Sequence, residues 1–130
     1  PQKDYFTRRG IDTFLNHEYR VTPQADRMGY RLQGPKIEHK TGADILTDAT
    51  PPGSVQVPGD GMPIILLADG QTTGGYSKIG VVASVDQDLL AQAKPGDRVR
   101  FQRVTIQEPQ GLLLEREKNI RAISEAFIAV

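Results

Sequence analysis

The chain has 130 residues, 38% hydrophobic and 25% charged, which is the length and composition of one soluble globular domain. Sixteen basic residues balance sixteen acidic ones, and this zero net charge argues against a nucleic-acid partner, because proteins that bind phosphate backbones usually carry a basic excess. Cysteine is absent, and no apolar run approaches the ~20 residues that span a bilayer. These features predict a cytoplasmic protein with no disulfide and no membrane partner.

The chain begins with one predicted helix, which is followed by many short strands. Thr7 is a candidate helix cap, and Ile11, Phe14 and Leu15 recur at helical spacing. A strand through residues 19–21 should end at Pro23 and the polar stretch after it. Further alternating or apolar runs bounded by turn residues predict strands near 30–32, 43–48, 55–57, 63–68, 78–84 and 99–104.

The segments 63–68 and 78–84 are apolar on both pleat faces and should lie deepest in the core. A short helix is predicted before Pro95, and apolar residues at helical spacing predict an amphipathic helix over 109–130. Regular alternation of strands and helices is missing, so the sequence predicts a mainly β fold, a closed barrel with short flanking helices over residues 1–108 and a C-terminal helix over 109–130.

The ten-residue polar stretch Asp69 to Lys78 lies between the two most apolar strands. An ordinary hairpin needs only about two to five loop residues, so the length favours a functional loop. Its candidate groups are hydroxyls, an amide, a carboxylate and glycine backbone N–H groups, on Asp69, Gln71, Thr72, Thr73, Gly74, Gly75 and Tyr76. Together they suit a small polar or anionic ligand. The alternative is structural, with the threonines capping nearby backbone and the glycines forming a turn.

A second polar loop places Asp26 and Arg27 just before Tyr30 on the next predicted strand. Arg27 has the planar guanidinium that holds a carboxylate or phosphate through two hydrogen bonds. An exposed Asp26–Arg27 ion pair with little energetic consequence is the alternative.

Several common site motifs are missing from the sequence. It has no G-x-x-x-x-G-K-[ST] phosphate loop, no G-x-S-x-G nucleophile elbow and no lysine in a biotin-carrier context. His17 and His39 lack metal-ligand spacing and are expected at the surface, so no metal site is predicted.

Three segments, TPQADRMGYRLQGP, PGSVQVPGDGMPIILLADGQTTGGYSKI and LAQAKPGDRVRFQRV, occur in an order and spacing that resemble the allophanate hydrolase subunit 2 family. That family includes the C subunit of 5-oxoprolinase and the matching part of the carboxyltransferase domain of urea carboxylase. The resemblance runs from Pro1 to Val104 and departs from the family pattern at Met62, Gly70 and Ser77. Family members have two related halves, and this chain resembles the second half, whose fold is a cyclophilin-like β-barrel.

The resemblance implies a piece of a subunit that works with a partner of the allophanate hydrolase subunit 1 type and with the missing N-terminal half of its own chain. The implied reaction is ATP-dependent ring opening of 5-oxoproline to glutamate, with ATP on an atypical site or on the partner. Arg27, Tyr30, Thr72, Thr73, Gly74 and Gly75 would then bind substrate. Asp69, Gln71 and Tyr76 would orient the amide or move a proton.

Two other functions are compatible with the same resemblance. The first is the carboxyltransferase component of a biotin-dependent urea carboxylase or allophanate system, with biotin carried on another protein. The second is a non-catalytic regulator that binds an inhibitor of a sensor kinase. Prolyl isomerase activity is not expected, because fold alone does not carry function and no isomerase motif is present.

Overall fold

The computed structural model of the chain describes residues 3–25, 28–40, 42, 44–67, 73–83, 86–87, 90–103 and 124–129. These residues form a 3₁₀ turn (Lys3–Tyr5), one helix named α1 (Arg8–Asn16) and nine strands. In chain order the strands are β1 (Glu18–Ala25), β2 (Gly29–Gln33), β3 (Asp44–Ala49), β4 (Ser54–Gln56), β5 (Ile64–Leu66), β6 (Thr73–Tyr76), β7 (Lys78–Val82), β8 (Arg98–Arg103) and β9 (Ser124–Ala129).

The predicted first helix and its cap are confirmed. The Thr7 hydroxyl accepts a hydrogen bond from Gly10 N at 2.9 Å, which satisfies one of the free N–H groups of the first turn. Phe14 is fully buried and stacks on Phe101 of β8 with ring centroids 4.4 Å apart. Among the described residues, no helix is both long enough and apolar enough to cross a membrane.

Seven strands close into a barrel in the order β1-β2-β5-β4-β7-β9-β8, and β8 pairs back onto β1. The pairs are antiparallel except β8 with β9, which are parallel. This arrangement confirms the predicted mainly β fold and closed barrel. The predicted turn at 59–61 is also present, with Gly61 N donating to Pro58 O at 3.0 Å and Gly61 at a φ of +77° that suits glycine.

Alternation along the strands separates an inner from an outer face of the barrel. Tyr30 of β2 is paired with Ile65 of β5, which is paired with Val55 of β4, and all three side chains are buried in the core. Ile65 and Val82 confirm that β5 and β7 contribute to the deepest part of the core. The residues that alternate with Tyr30, Ile65 and Val55 point outward and form the outer wall of β2, β5 and β4.

Strand β1 does not end at Pro23, as the sequence predicted, but continues to Ala25. Its pairing with β2 shifts between Val21, opposite Leu32, and Ala25, opposite Tyr30. A bulge of this kind leaves residues without ladder hydrogen bonds, so the missing N–H of proline is tolerated there.

The predicted ten-residue loop is partly a strand. Thr73–Tyr76 forms β6, which pairs antiparallel with β3 in a separate two-stranded sheet, here called the β3–β6 ribbon. The backbone groups of β3 lie off the barrel and need hydrogen-bond partners, and β6 supplies them. Adjacent glycines are unusual in strands, which is why the sequence indicated a loop.

The predicted helix over 109–130 is wrong for Ser124–Ala129, which form β9, and the rest of that range lies outside the described residues. These residues fill the gap between β7 and β8, and their parallel register runs from Val99–Ser124 to Arg103–Ile128. The two strand edges provide backbone partners that outweigh the helical spacing of the apolar side chains. The barrel therefore extends beyond the predicted boundary at residue 108.

Candidate functional site

The outer wall of β2, β5 and β4 carries a row of three cross-strand neighbours. Arg31 of β2 lies opposite Ile64 of β5, and Ile64 lies opposite Gln56 of β4. Gly29 lies opposite Leu66 at the next outward position. The row therefore runs from a cation, across an aliphatic side chain, to an amide.

A pocket of about 470 Å³ lies over this wall. Its apolar lining is Met28, Ile64, Leu66 and Tyr76. Its polar lining is Gln24, Arg31 and Gln56. Pockets of this size and mixed character accommodate small ligands, with apolar walls for contact area and a few polar groups for orientation.

Tyr76 and Met28 are the exposed apolar side chains of the pocket, at 41% and 54%. Tyr76 comes from the β3–β6 ribbon, so the ribbon provides one side of the pocket. The phenol of Tyr76 can therefore meet a ligand without unfolding any part of the barrel.

Gln56 reaches the pocket from the most buried strand of the wall. Its side chain is 4% exposed, and its Nε2 has no hydrogen-bond partner among the described residues. The ribbon passes directly over this amide, since a Cβ added at Gly74 would overlap Gln56 Nε2 and would lie 3.1 Å from Thr50 Cγ2. Glycine at position 74 thus makes room for the Gln56 amide.

The structure brings part of the predicted site together. Gly74, Gly75 and Tyr76 lie with Thr73 on β6, where Tyr76 lines the pocket and Gly74 packs against Gln56. The side-chain roles predicted for this stretch stay predictions.

Arg27, Asp69, Gln71 and Thr72 lie outside the described residues, but their described neighbours are close to one another. Leu67 N donates to Met28 O at 3.1 Å, so the segment after β5 and the segment before β2 meet beside the pocket. The roles predicted for these four residues also stay predictions.

Tyr30 does not fit its predicted contact with substrate through the side chain. The phenol is buried on the inner face, and its hydroxyl can donate to Ala91 O at 2.9 Å or Ala93 O at 3.1 Å. The pKa of Tyr30 is raised mainly by burial and to a smaller extent by the negative charge of Asp97. The hydroxyl therefore stays protonated and can act as a donor. Alternation along β2 directs Arg31, not Tyr30, to the pocket.

Sequence reasoning missed Gln56 and Arg31. One signal was present for Gln56, because it lies between Val55 and Val57 in a strand that is otherwise apolar and buried. A polar side chain in such a strand needs a partner or a function. No local signal marked Arg31, because its place beside Gln56 depends on the pairing of three strands that are distant in sequence.

Neither a metal ion nor a nucleotide fits the described part of the site. No group of three or more potential metal ligands occurs among the described residues. His17 is exposed as predicted, with Nδ1 2.9 Å from Thr13 O, whereas His39 is half-buried, with Nε2 2.8 Å from Val57 O. Arg31 is the one cation among the described pocket residues, which does not match the several charges of the ATP phosphates.

Comparison with known proteins identifies the class of domain. Residues 1–103 match the family model "Carboxyltransferase domain, subdomain A and B", and the chain belongs to this family. This finding confirms the family predicted from the three sequence segments.

The relatives include the C subunit of 5-oxoprolinase from two bacteria. The chain is 43% identical to the Haemophilus influenzae protein, over 92% of this chain and 38% of that protein. It is 38% identical to the Escherichia coli protein, over 83% of this chain and 35% of that protein. The chain thus spans little more than a third of these relatives, which are subunits of an enzyme.

The fold also matches a solved carboxylase. The crystal structure of Kluyveromyces lactis urea carboxylase is 26% identical and superposes with a TM-score of 0.80, over 93% of this chain and 12% of that one. The same fold therefore occurs in a urea carboxylase, and related sequences occur in 5-oxoprolinase subunits.

Proposed function

We propose that this chain is part of a subunit of an ATP-dependent enzyme complex that opens the lactam ring of 5-oxoproline to give glutamate. Sequence identity supports this choice, since the chain is 43% identical to a 5-oxoprolinase subunit and 26% identical to the urea carboxylase structure. The complex would include a partner of the allophanate hydrolase subunit 1 type and the rest of the same subunit.

The observation that carries the proposal is the pocket beside the β3–β6 ribbon. It combines apolar walls that suit the ring methylenes with a guanidinium and an amide that suit a carboxylate and a lactam. Met28 and Leu67, the described neighbours of Arg27 and of the 68–72 segment, meet beside this pocket, which is compatible with the proposal.

The roles within the site follow the needs of amide opening, which requires a held substrate and a polarised carbonyl. Arg27 and the backbone N–H groups of the 73–75 stretch would bind the carboxylate or the developing oxyanion. Gln71 and Tyr76 would orient the amide, and Asp69 would position or accept a proton. ATP would be held at an atypical site or by the partner subunit, as the family resemblance implies.

A second candidate is carboxyl transfer from biotin to an amide nitrogen, as a component of a urea carboxylase or allophanate system. The observation in its favour is the TM-score of 0.80 with K. lactis urea carboxylase over nearly the whole chain. In this case biotin would arrive on another protein, and the pocket would hold the acceptor amide.

The test is to co-express the full-length subunit with its partner and measure ATP hydrolysis and glutamate release with 5-oxoproline or urea. Stimulation by 5-oxoproline with glutamate release is expected. Arg27→Ala should lower turnover by roughly 100-fold with the circular dichroism spectrum unchanged. Arg98→Ala, which removes an exposed arginine paired with Glu18 on β1, is the matched control and should retain activity. Stimulation by urea alone would favour carboxyl transfer, and unchanged turnover of the Arg27 variant would refute its role.

A further inference from the structure

We infer that Gln56 and Arg31 bind the two polar ends of the ligand, the Gln56 amide donating to the lactam carbonyl and Arg31 pairing with the carboxylate. Of the two roles proposed above for Arg27, this leaves it the developing oxyanion. This inference rests on the proposed function and specifies how the pocket selects its substrate. Nothing in the family resemblance or the relatives' names assigns either residue.

The first argument is the state of the Gln56 amide. Its Nε2 is buried without a hydrogen-bond partner among the described residues, a rare condition that calls for a reason. A half-turn about the Cγ–Cδ bond exchanges the amide nitrogen and oxygen, and the pocket lies on one side of this side chain. As placed, Nε2 is the end of the amide that lies against Gly74. The half-turn would put the oxygen against the Cα hydrogens of Gly74, a weak but favourable contact, and would turn the NH₂ group away from Gly74, where a ligand in the pocket can accept its hydrogen bond.

The second argument is Gly74, which comes from a different element. A side chain at this position would overlap the Gln56 amide, so the amide can keep its present place under the ribbon because residue 74 is glycine. Two distant positions in the sequence therefore combine to hold an amide beside the pocket. A ligand that accepts a hydrogen bond there gives this arrangement a function.

The third argument is the order of groups on the wall. Arg31, Ile64 and Gln56 are successive cross-strand neighbours, so the Cα atoms of Arg31 and Gln56 lie roughly 10 Å apart. In 5-oxoproline the carboxylate and the lactam carbonyl flank the ring nitrogen on opposite sides, with methylenes behind. The guanidinium, aliphatic side chain and amide match the carboxylate, ring and carbonyl in the same order.

The charge of the pocket supports the same ligand class. Arg31 is exposed, and no acidic side chain is among the described lining residues, so the described pocket favours an anion. Urea has neither a carboxylate nor a ring to place on Arg31 and Ile64. The pocket therefore selects a cyclic amide that carries a carboxylate.

The test uses the full-length complex and two ligands, 5-oxoproline and 2-pyrrolidinone, which is the same lactam without the carboxylate. Gln56→Met keeps the volume and removes the amide, and Gln33→Met on the same wall is its control. Arg31→Gln removes the charge, with Arg98→Gln as its control. Kinetics give KM and kcat for 5-oxoproline and the inhibition constant for 2-pyrrolidinone, and melting curves give the shift caused by each ligand.

Gln56→Met should weaken binding of both ligands by roughly tenfold, with the ligand-free melting temperature unchanged or higher. Arg31→Gln should weaken 5-oxoproline by a similar factor and leave 2-pyrrolidinone unaffected. An unchanged KM in Gln56→Met would overturn the role of the amide. Equal effects of Arg31→Gln on the two ligands would overturn the role of the guanidinium.

Failure of the proposed function is distinguishable from failure of this inference. If the wild-type complex does not turn over 5-oxoproline, the proposed function fails, and the melting shifts still decide the inference. A shift by 5-oxoproline that Gln56→Met abolishes would uphold it. Absence of any shift in the wild type would overturn it.

Discussion

Replacing Gly74 by alanine tests the contact between the β3–β6 ribbon and the barrel wall. The added methyl group would overlap Gln56 Nε2 and would lie 3.3 Å from Gln56 Cδ and 3.1 Å from Thr50 Cγ2. The nearest atom is the end of a flexible side chain, so the ribbon can keep its position if the Gln56 amide moves away. The substitution should therefore displace Gln56 rather than unfold the ribbon.

The magnitude follows from two opposing effects. Inserting a methyl group into a packed contact costs about 1–3 kcal/mol, whereas alanine is better than glycine within a strand by about 0.5–1 kcal/mol. The net loss in the free energy of unfolding should be about 1 kcal/mol, which lowers the melting temperature by a few degrees. Substrate affinity should fall more clearly than stability, because the displaced amide no longer faces the ligand.

A double-mutant cycle with Gln56→Ala, followed by chemical denaturation of the full-length subunit, isolates the contact. In the Gln56→Ala background the overlap with the amide is gone and the 3.1 Å contact with Thr50 Cγ2 remains, so Gly74→Ala should cost clearly less stability than in the wild type. Gly59→Ala is the matched control, because no described heavy atom lies within 4 Å of the place that its methyl group would take, and its φ is not positive. If Gly74→Ala destabilises equally with and without the Gln56 side chain, the close approach does not exist and the argument for the amide fails.

Two further predictions concern the stability of the fold. The Tyr19 hydroxyl donates to Pro35 O at 2.9 Å, and burial raises the pKa of this phenol. The protonated phenol therefore contributes its full stability below the unfolded pKa of about 10, and this contribution is lost as pH rises further. Tyr19→Phe should lower the free energy of unfolding at neutral pH by about 1 kcal/mol and flatten its alkaline decline in a pH series of denaturant titrations; an unchanged alkaline slope would contradict this. Thr7→Ala removes the cap of α1 and should lower stability by about 1 kcal/mol in the same assay, whereas Thr7→Ser should retain it. Equal losses in both Thr7 variants would exclude the hydroxyl as the cause.

Local sequence patterns correctly predicted the helices and strands whose conformation does not depend on distant parts of the chain. The cap and apolar spacing of α1, and the alternation around Tyr30 and Leu32, depend on residues close in sequence, and both predictions are confirmed. Pro23 and Ser124–Ala129 were assigned wrongly because a bulge and two open strand edges, set by distant parts of the chain, decide their conformation.

In the candidate site, too, the sequence predicted what depends on neighbouring residues and missed what depends on distant strands. Composition pointed to the stretch that contains Gly74 and Tyr76, and both contribute to the pocket. Arg31 and Gln56 could not be placed together from the sequence, because their neighbourhood depends on the non-sequential order β2-β5-β4. Tyr30 was selected for its chemistry, but the pleat of its strand turns it into the core.

The position of β9 in the barrel has a consequence for how the protein is made. The 103 residues that match the family contain six of the seven barrel strands, and without Ser124–Ala129 these form an open sheet whose free edges are β7 and β8. Free edges of this kind pair readily with other chains. A polypeptide emerging from the ribosome would expose both edges until β9 is synthesised, and β9 must then pair with β7, which was made much earlier, in a slow step. A product truncated before β9 would keep two unpaired strand edges. Aggregation during synthesis therefore depends on how quickly β9 is synthesised and pairs with β7 and β8.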